Sequence, residues 1–160
     1  MRRIILIAAL LLLVASITGC DMVNKIMPKK NATVGDDPQG EKIAYDGAKM
    51  EWVSGTEDSL TVKITNGTDS TWQSGNMRDY WLEAERDGQW YAVNQKGEFA
   101  NTMELMIFSP GQTMTHTFNF TERYGVLSSG KYRVVKSFWA NATENTEAGE
   151  FHLVCEFTVE

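Results

Sequence analysis

Cysteine, histidine and proline are scarce in this chain, at two, two and three residues in 160. Two cysteines cannot build the multi-bridge framework that small secreted scaffolds use in place of a core. Thirteen glycines and three prolines exclude a collagen-like fibre. Basic residues are also in short supply, 15 against 21 acidic for a formal net charge of −6, and the basic stripe that nucleic-acid binding needs is missing. No window of ten or more residues sustains 3.6-residue periodicity with caps, so helix is limited to one turn near Glu122–Leu127. What is there is ordinary for a folded protein with one core: 42% hydrophobic and 22% charged residues, which excludes a disordered tail and a multi-pass membrane protein.

The greasiest stretch lies at the start. Met1-Arg2-Arg3 is basic, and an apolar run from Ile4 continues to Ile17. As a helix that run is only about 21 Å long, short of the ~30 Å hydrocarbon core, so it reads as the central part of an export signal and not as a span. Ile17-Thr18-Gly19-Cys20 follows and resembles the lipobox of bacterial lipoproteins. The resemblance implies that residues 1–19 are a signal peptide, that Cys20 is lipidated on its thiol (palmitate being one such chain), and that two or three acyl chains anchor the protein stably. Asp21 resembles the inner-membrane retention signal of enterobacterial lipoproteins and carries no such meaning in a Gram-positive cell. Either way the expected location is the outer face of the cytoplasmic membrane.

Residues 20–44 contain two of the three prolines, and their four acids balance four bases. They read as a flexible tether with a reach of about 25–30 Å. All the excess charge falls on residues 45–160, nine bases against 17 acids, a net of −8. An acidic domain above anionic lipid is repelled from the surface it is tied to. With Cys20 taken, Cys155 has no intramolecular disulfide partner. It shares parity with Phe151, Leu153, Phe157 and Val159 and is expected to face the core.

From Tyr45 onward, apolar and polar residues alternate in short runs separated by Gly, Asn, Asp or Ser clusters, the all-β pattern. The expected strands are Ala48–Ser54, Ser59–Asn66, Tyr80–Arg86, Trp90–Asn94, Glu104–Phe108, Thr113–Phe120, Tyr132–Ala140 and Glu150–Val159. Asp87-Gly88 is a tight-turn dipeptide joining the third and fourth as a hairpin. Seven to eight short antiparallel strands suit a two-sheet β-sandwich. Leu60–Asn66, Tyr80-Trp81-Leu82-Glu83, Asp87-Gly88-Gln89-Trp90-Tyr91, Pro110-Gly111, Tyr124-Gly125-Val126-Leu127, Gly130-Lys131-Tyr132-Arg133 and Glu156-Phe157-Thr158-Val159, in that order, resemble the bacterial Ig-like domain of Gram-positive cell-surface lipoproteins over residues 45–160. That resemblance implies an Ig-like fold and a surface location, and no reaction. Gly-x-Tyr at 130–132 also resembles a tyrosine corner, whose hydroxyl ties a crossover to the backbone.

Catalytic and metal chemistry finds little support. His116 alternates with Met114, Phe118 and Phe120 and reads as a core-edge residue, whereas His152 has the opposite parity from Cys155, which disfavours a Cys–His nucleophile. Met103, Met106, Met114 and His116 are the types that hold Cu(I), but core packing explains them better. Asn66–Asn76 offers oxygen ligands with a single carboxylate, so it reads as a plain loop and not a Ca²⁺ site. The Asn-x-Thr sequons at Asn31, Asn66, Asn119 and Asn141 read as chance. The expectation is no enzyme, no metal and no cofactor beyond the covalent lipid.

Aromatic placement carries the strongest functional signal. If Tyr80, Leu82, Tyr132, Val134 and Phe138 face inward, then Trp81, Arg133, Val135, Trp139, His152 and Val154 share the outer face of one sheet, with Trp72 on a nearby loop. Trp, Arg and aliphatic residues on an acidic surface suit a binding face. The alternative is that loops or the Trp90–Asn94 hairpin cover these side chains. The reading is a monomeric, membrane-anchored envelope lipoprotein whose Ig-like domain is a protein-binding or spacer module. Its partners would be the membrane, through the lipid, and another envelope protein or a wall polymer. The alternatives are an Ig-like proteinase inhibitor and a carbohydrate- or wall-binding module using Trp81 and Trp139.

Overall fold

A computed structural model describes residues 31–99, 104–145 and 147–160. The expected leader 1–19, Cys20 and Met103 lie outside the described residues. The strands are β1 (Val34–Pro38), β2 (Ala48–Gly55), β3 (Ser59–Asn66), β4 (Trp72–Ser74), β5 (Trp81–Arg86), β6 (Gln89–Val93), β7 (Met106–Phe108), β8 (Thr113–Asn119), β9 (Gly130–Ala140) and β10 (Gly149–Val159). They form two antiparallel sheets. The larger runs β1-β6-β5-β9-β4-β7 with β10 on the other flank of β9, and the smaller runs β2-β3-β8. No helix is present among the described residues. Where one helical turn is expected, the Phe120 carbonyl accepts from the amides of Tyr124 (2.7 Å) and Gly125 (3.2 Å), a single closed turn.

All eight expected strands are present with ends moved by a residue or two, and two further strands appear. β4 has three residues, too few to show a period, and forms because Trp72 is fully buried and anchors it. β1 reads Val-Gly-Asp-Asp-Pro, a loop composition, yet it pairs with β6 through a register shift between Val34↔Val93 and Pro38↔Tyr91. An edge strand has one row of backbone groups to satisfy, so its Asp pair and terminal Pro are tolerated there. The expectation of a free tether through residue 44 is therefore corrected from Asn31 onward, where Ala32 also donates to the Val126 carbonyl at 2.9 Å.

The hairpin between β5 and β6 turns on Asp87 (φ 54°) and Gly88 (φ 78°), two successive positive values that match the right-handed twist of the flanking strands. Trp72 is the hub of the core: its ring lies 5.0 Å from Phe151, 5.8 Å from Phe138 and 6.3 Å from Tyr45. It is a core residue and not the loop aromatic expected. The small sheet adds Leu60, Val62 and Ile64, none of them exposed. Cys155 joins this core as its parity predicts, and burial pushes its thiol up to about 11. The tyrosine corner is present, with the Tyr132 hydroxyl donating to the Ser128 carbonyl at 2.9 Å.

β9 sets the geometry of the larger sheet. On one flank it pairs with β10 over all 11 residues. On the other it pairs with β5 over Val135–Tyr132 and with β4 at Trp139 and Ala140, so the two short strands lie end to end with a break between them. The chain crosses that break as the 75–80 connection, whose carbonyls have no ladder to join. Lys136 fills the gap. It has the inward parity of Val134 and Phe138, is fully buried, and its ammonium donates to the carbonyls of Asn76 (2.9 Å), Asp79 (2.9 Å) and Gly75 (3.3 Å). Ser74 closes the same gap through a 2.9 Å bond to the Ser137 carbonyl.

Burial lowers the Lys136 ammonium to about 8 from 10.5, partly offset by Asp79. Between these values the unfolded chain binds the extra proton, so stability rises with pH across the window; below about 8 the whole cost of the buried charge is present. Cys155, with its raised value, works the opposite way from about pH 9 upward. Stability measured by urea unfolding should therefore rise between pH 8 and 9 by up to about 1 kcal/mol, and Lys136→Met should abolish the rise. The same substitution removes the ammonium's bonds to three carbonyls, of which Asn76 keeps the Asp79 amide, and should destabilise the domain at pH 7 by about 2–4 kcal/mol. Tyr132→Phe removes one part-buried hydrogen bond and should lower stability by about 1 kcal/mol in the same measurement.

Candidate functional site

The parity argument for the outer face of the larger sheet holds strand by strand. Trp81 on β5, Val135 on β9 and Val154 on β10 are consecutive cross-strand partners. Arg133 lies between Glu83 and Glu156, and His152 lies opposite Ser137. The named side chains are thus brought to one face, but most of them are not open. Val135 is fully buried and Arg133 is 8% exposed; Trp81, His152 and Val154 are half-buried; Trp139 alone is well exposed, at 52%. Of the two alternatives for this face, open or covered by loops and the hairpin, the structure shows the covered one, with Val135 and Arg133 closed off and Trp139 open.

The cover comes from two directions. Trp90, on the β6 side of the hairpin, lies over the Arg133 guanidinium at 4.3 Å from the ring centre, with Lys131 at 5.2 Å. The other cover is the segment read as tether. After β1, Gln39 donates to the Trp90 carbonyl at 2.8 Å, and four residues later the Ile43 carbonyl accepts from the His152 amide at 2.7 Å. Residues 39–43 therefore run as a strap from β6 across to β10. At the far edge the Ile43 amide also meets His152 Nδ1 at 3.3 Å, and Tyr45 turns in to stack on Phe151 at 4.7 Å.

Under the strap sits a fully buried carboxylate, Glu83. Its Oε2 accepts from Arg133 Nε at 2.6 Å and stands in ion contact, without a hydrogen bond, with Nη2 at 2.5 Å, while its Oε1 takes Lys42 Nζ at 2.7 Å and Trp81 Nε1 at 2.8 Å. Two cations and an indole satisfy both oxygens, the condition under which a buried charge is tolerated. Lys42 also rides 5.7 Å from the Trp81 ring centre, and that ring meets His152 edge-on at 5.7 Å. Sequence reasoning missed Glu83 and Lys42. Glu83 has the outward parity of Trp81, and an outward acid on a strand reads as solvated until the residues above it are known.

The remaining candidates fall into structural roles. Asn66 is fully buried, donating to the carbonyls of Ser70 (2.8 Å) and Phe108 (3.1 Å) and accepting from the Thr68 amide (3.0 Å) and hydroxyl (2.7 Å), so its Asn-x-Thr sequence is a turn device. Asn76 likewise accepts from the Arg78 amide at 2.8 Å. Met106 and Met114 are half-buried against the core from different sheets. His116 is half-buried beside Phe118 at 4.8 Å, and burial together with the nearby Lys136 charge holds its imidazole below the usual value. No group of three His, Cys, Asp or Glu side chains with metal-site geometry occurs among the described residues.

The strap makes a measurable difference to the face beneath it. Lys42→Ala keeps the Arg133–Glu83 pair and removes one cation from a buried carboxylate, so stability should fall by about 1–3 kcal/mol. Trp81 loses its cover in that variant, and tryptophan emission should shift to longer wavelength in the folded protein.

No curated protein matches the chain. Residues 47–152, more than half of the chain and spanning β2 to the first part of β10, match the bacterial Ig-like domain. That match agrees with the two-sheet antiparallel sandwich and its tyrosine corner, and this chain belongs to the bacterial Ig-like domain family.

Proposed function

We propose that this chain is a lipid-anchored protein of the outer face of the cytoplasmic membrane whose Ig-like domain binds another protein of the cell envelope. The observation that carries the anchoring is Ile17-Thr18-Gly19-Cys20 after a basic start and an apolar run too short to span. The binding role rests on family membership. The only described cysteine is a buried core thiol.

The docked strap sharpens the geometry of this reading. Only ten residues, 21–30, separate Cys20 from Asn31, and a chain of that length spans at most about 35 Å. The domain would sit within that distance of the headgroups, with its acidic surface holding it off anionic lipid. Such a module presents a surface to neighbours in the same membrane and reaches distant wall layers poorly.

Cells expressing the protein and fed labelled palmitate should label it, and the protein should pellet with membranes. Cys20→Ala should abolish labelling and release the protein or leave its precursor unprocessed. A soluble wild-type protein without label would overturn the anchoring.

A further inference from the structure

Sheet edges are templates for strand addition, and proteins blunt them with charge, proline, bulges or short length. Four of the five edges here are treated in this way. β1 carries Asp36, Asp37 and Pro38, and β7 has three residues. β2 carries Lys49 and Glu51 and bulges between Trp52 and Ser54. β10 carries Glu150 and Glu156 and is capped at His152 by Ile43. β8 is the exception. Thr113-Met114-Thr115-His116-Thr117-Phe118-Asn119 has no charged residue and no proline, and it is the terminal strand of its sheet.

The ladder shows which groups β8 leaves open. Asn66 donates to the Gln112 carbonyl and Phe120 to the Asp58 carbonyl, each at 2.8 Å. Both bonds belong to the register that pairs Ile64 with Met114 and Val62 with His116, so even-numbered residues turn their amides and carbonyls toward β3. Odd-numbered residues turn theirs to the free edge. The Asn119 carbonyl accepts the Tyr80 hydroxyl at 2.9 Å, whereas the outward groups of Thr113, Thr115 and Thr117 have no hydrogen-bond partner among the described residues. All three residues are exposed.

A cavity of about 220 Å³ opens directly beside this edge, between β8, the 75–80 connection, Phe99 and the 119–123 turn. Its walls include Tyr80, Phe99, Phe118, His116 and Met77. Burial and the Lys136 charge hold the His116 imidazole below its usual value, and the wall offers rings, a thioether, that imidazole and the Arg123 guanidinium, which lies over the Phe99 ring at 5.2 Å and the Tyr80 ring at 5.5 Å. Rings and sulfur favour an aromatic guest by edge and face contacts. Arg78 and Glu122 balance each other at 3.4 Å across the mouth, both well exposed, and the Arg123 guanidinium is engaged within the wall, donating to the Arg78 and Tyr80 carbonyls.

We propose that the β8 edge binds an extended, uncharged segment of a partner protein as an added antiparallel strand, with one aromatic side chain of that segment seated in the adjoining cavity. The ladder to Thr113, Thr115 and Thr117 supplies affinity without sequence preference, and the cavity supplies the choice of residue. A second copy of this chain is a poorer occupant. Its own β8 turns Phe118 into its own core and brings no free aromatic ring to the cavity. The proposal rests on the binding-module reading above but not on the anchor.

The test uses the folded chain from residue 21 and a blocked seven-residue Thr/Val peptide with a central tryptophan, followed by amide NMR and hydrogen exchange. Saturable shifts should centre on Thr115, Thr117 and Asn119, exchange should slow at Thr115 and Thr117, and the peptide with alanine in place of tryptophan should bind at least tenfold more weakly. Thr117→Pro removes an outward amide and leaves the backbone bonds to β3 in place while losing the 2.9 Å hydroxyl contact with Thr61, and Phe99→Ala opens the cavity wall; each should weaken binding at least tenfold while the remaining amide spectrum stays dispersed. Absence of shifts at millimolar peptide, shifts centred on Trp139, or unchanged affinity in both variants would overturn the proposal. So would a peptide-independent dimer, seen by sedimentation and abolished by Thr117→Pro. Loss of palmitate labelling with peptide binding intact would sink the anchor alone.

Discussion

The larger sheet depends on how one strand changes partners. β9 is 11 residues long and no single neighbour on its β5/β4 flank matches it, so β5 and β4 share that flank and leave a gap. An open gap in a buried ladder strands carbonyls, which is expensive in an apolar interior. The Lys136 ammonium resolves this by presenting three donors to three carbonyls at once. A methyl-ended side chain would fill the space but bond nothing. The lowered affinity of this buried ammonium for its proton, only partly offset by Asp79, is the cost of the arrangement.

A second consequence concerns the N-terminal segment. The sandwich face formed by β5, β9 and β10 carries Trp81, Val135 and Arg133, which in isolation would be an exposed aromatic and aliphatic patch. The chain covers it with its own residues 39–43, and Glu83 makes the cover specific by accepting Lys42 from above and Arg133 from within the sheet. The strap thus belongs to the domain although the family match begins at residue 47. It also leaves only the ten residues 21–30 between Cys20 and the first described residue.

The small sheet is treated differently from the large one. Its β2 edge is charged and bulged, while its β8 edge is threonine-rich and uncharged and lies beside an aromatic cavity. Blunting every other edge and leaving this one is what permits strand addition at a single place while limiting edge-to-edge association elsewhere.

The sequence by itself determined the class of fold. Leu60, Val62 and Ile64 in strict alternation, Asp87-Gly88 between two runs, and Gly130-x-Tyr132 are local signals, and each appeared where expected because period, turn chemistry and the corner hydrogen bond are properties of neighbouring residues. Parity also placed Cys155 in the core and Trp81, Val135 and Val154 on one face. Only the tertiary structure decided whether that face was open. Exposure depends on what lies above a residue, and what lies above Val135 is brought from about ninety positions away by a segment whose composition reads as linker. The same reason hid β1 and β4, strands too short or too polar to announce themselves, and Lys136, whose inward parity was visible but whose acceptors came from a loop. Periodicity records which side of a strand a residue takes; long-range packing decides what occupies that side.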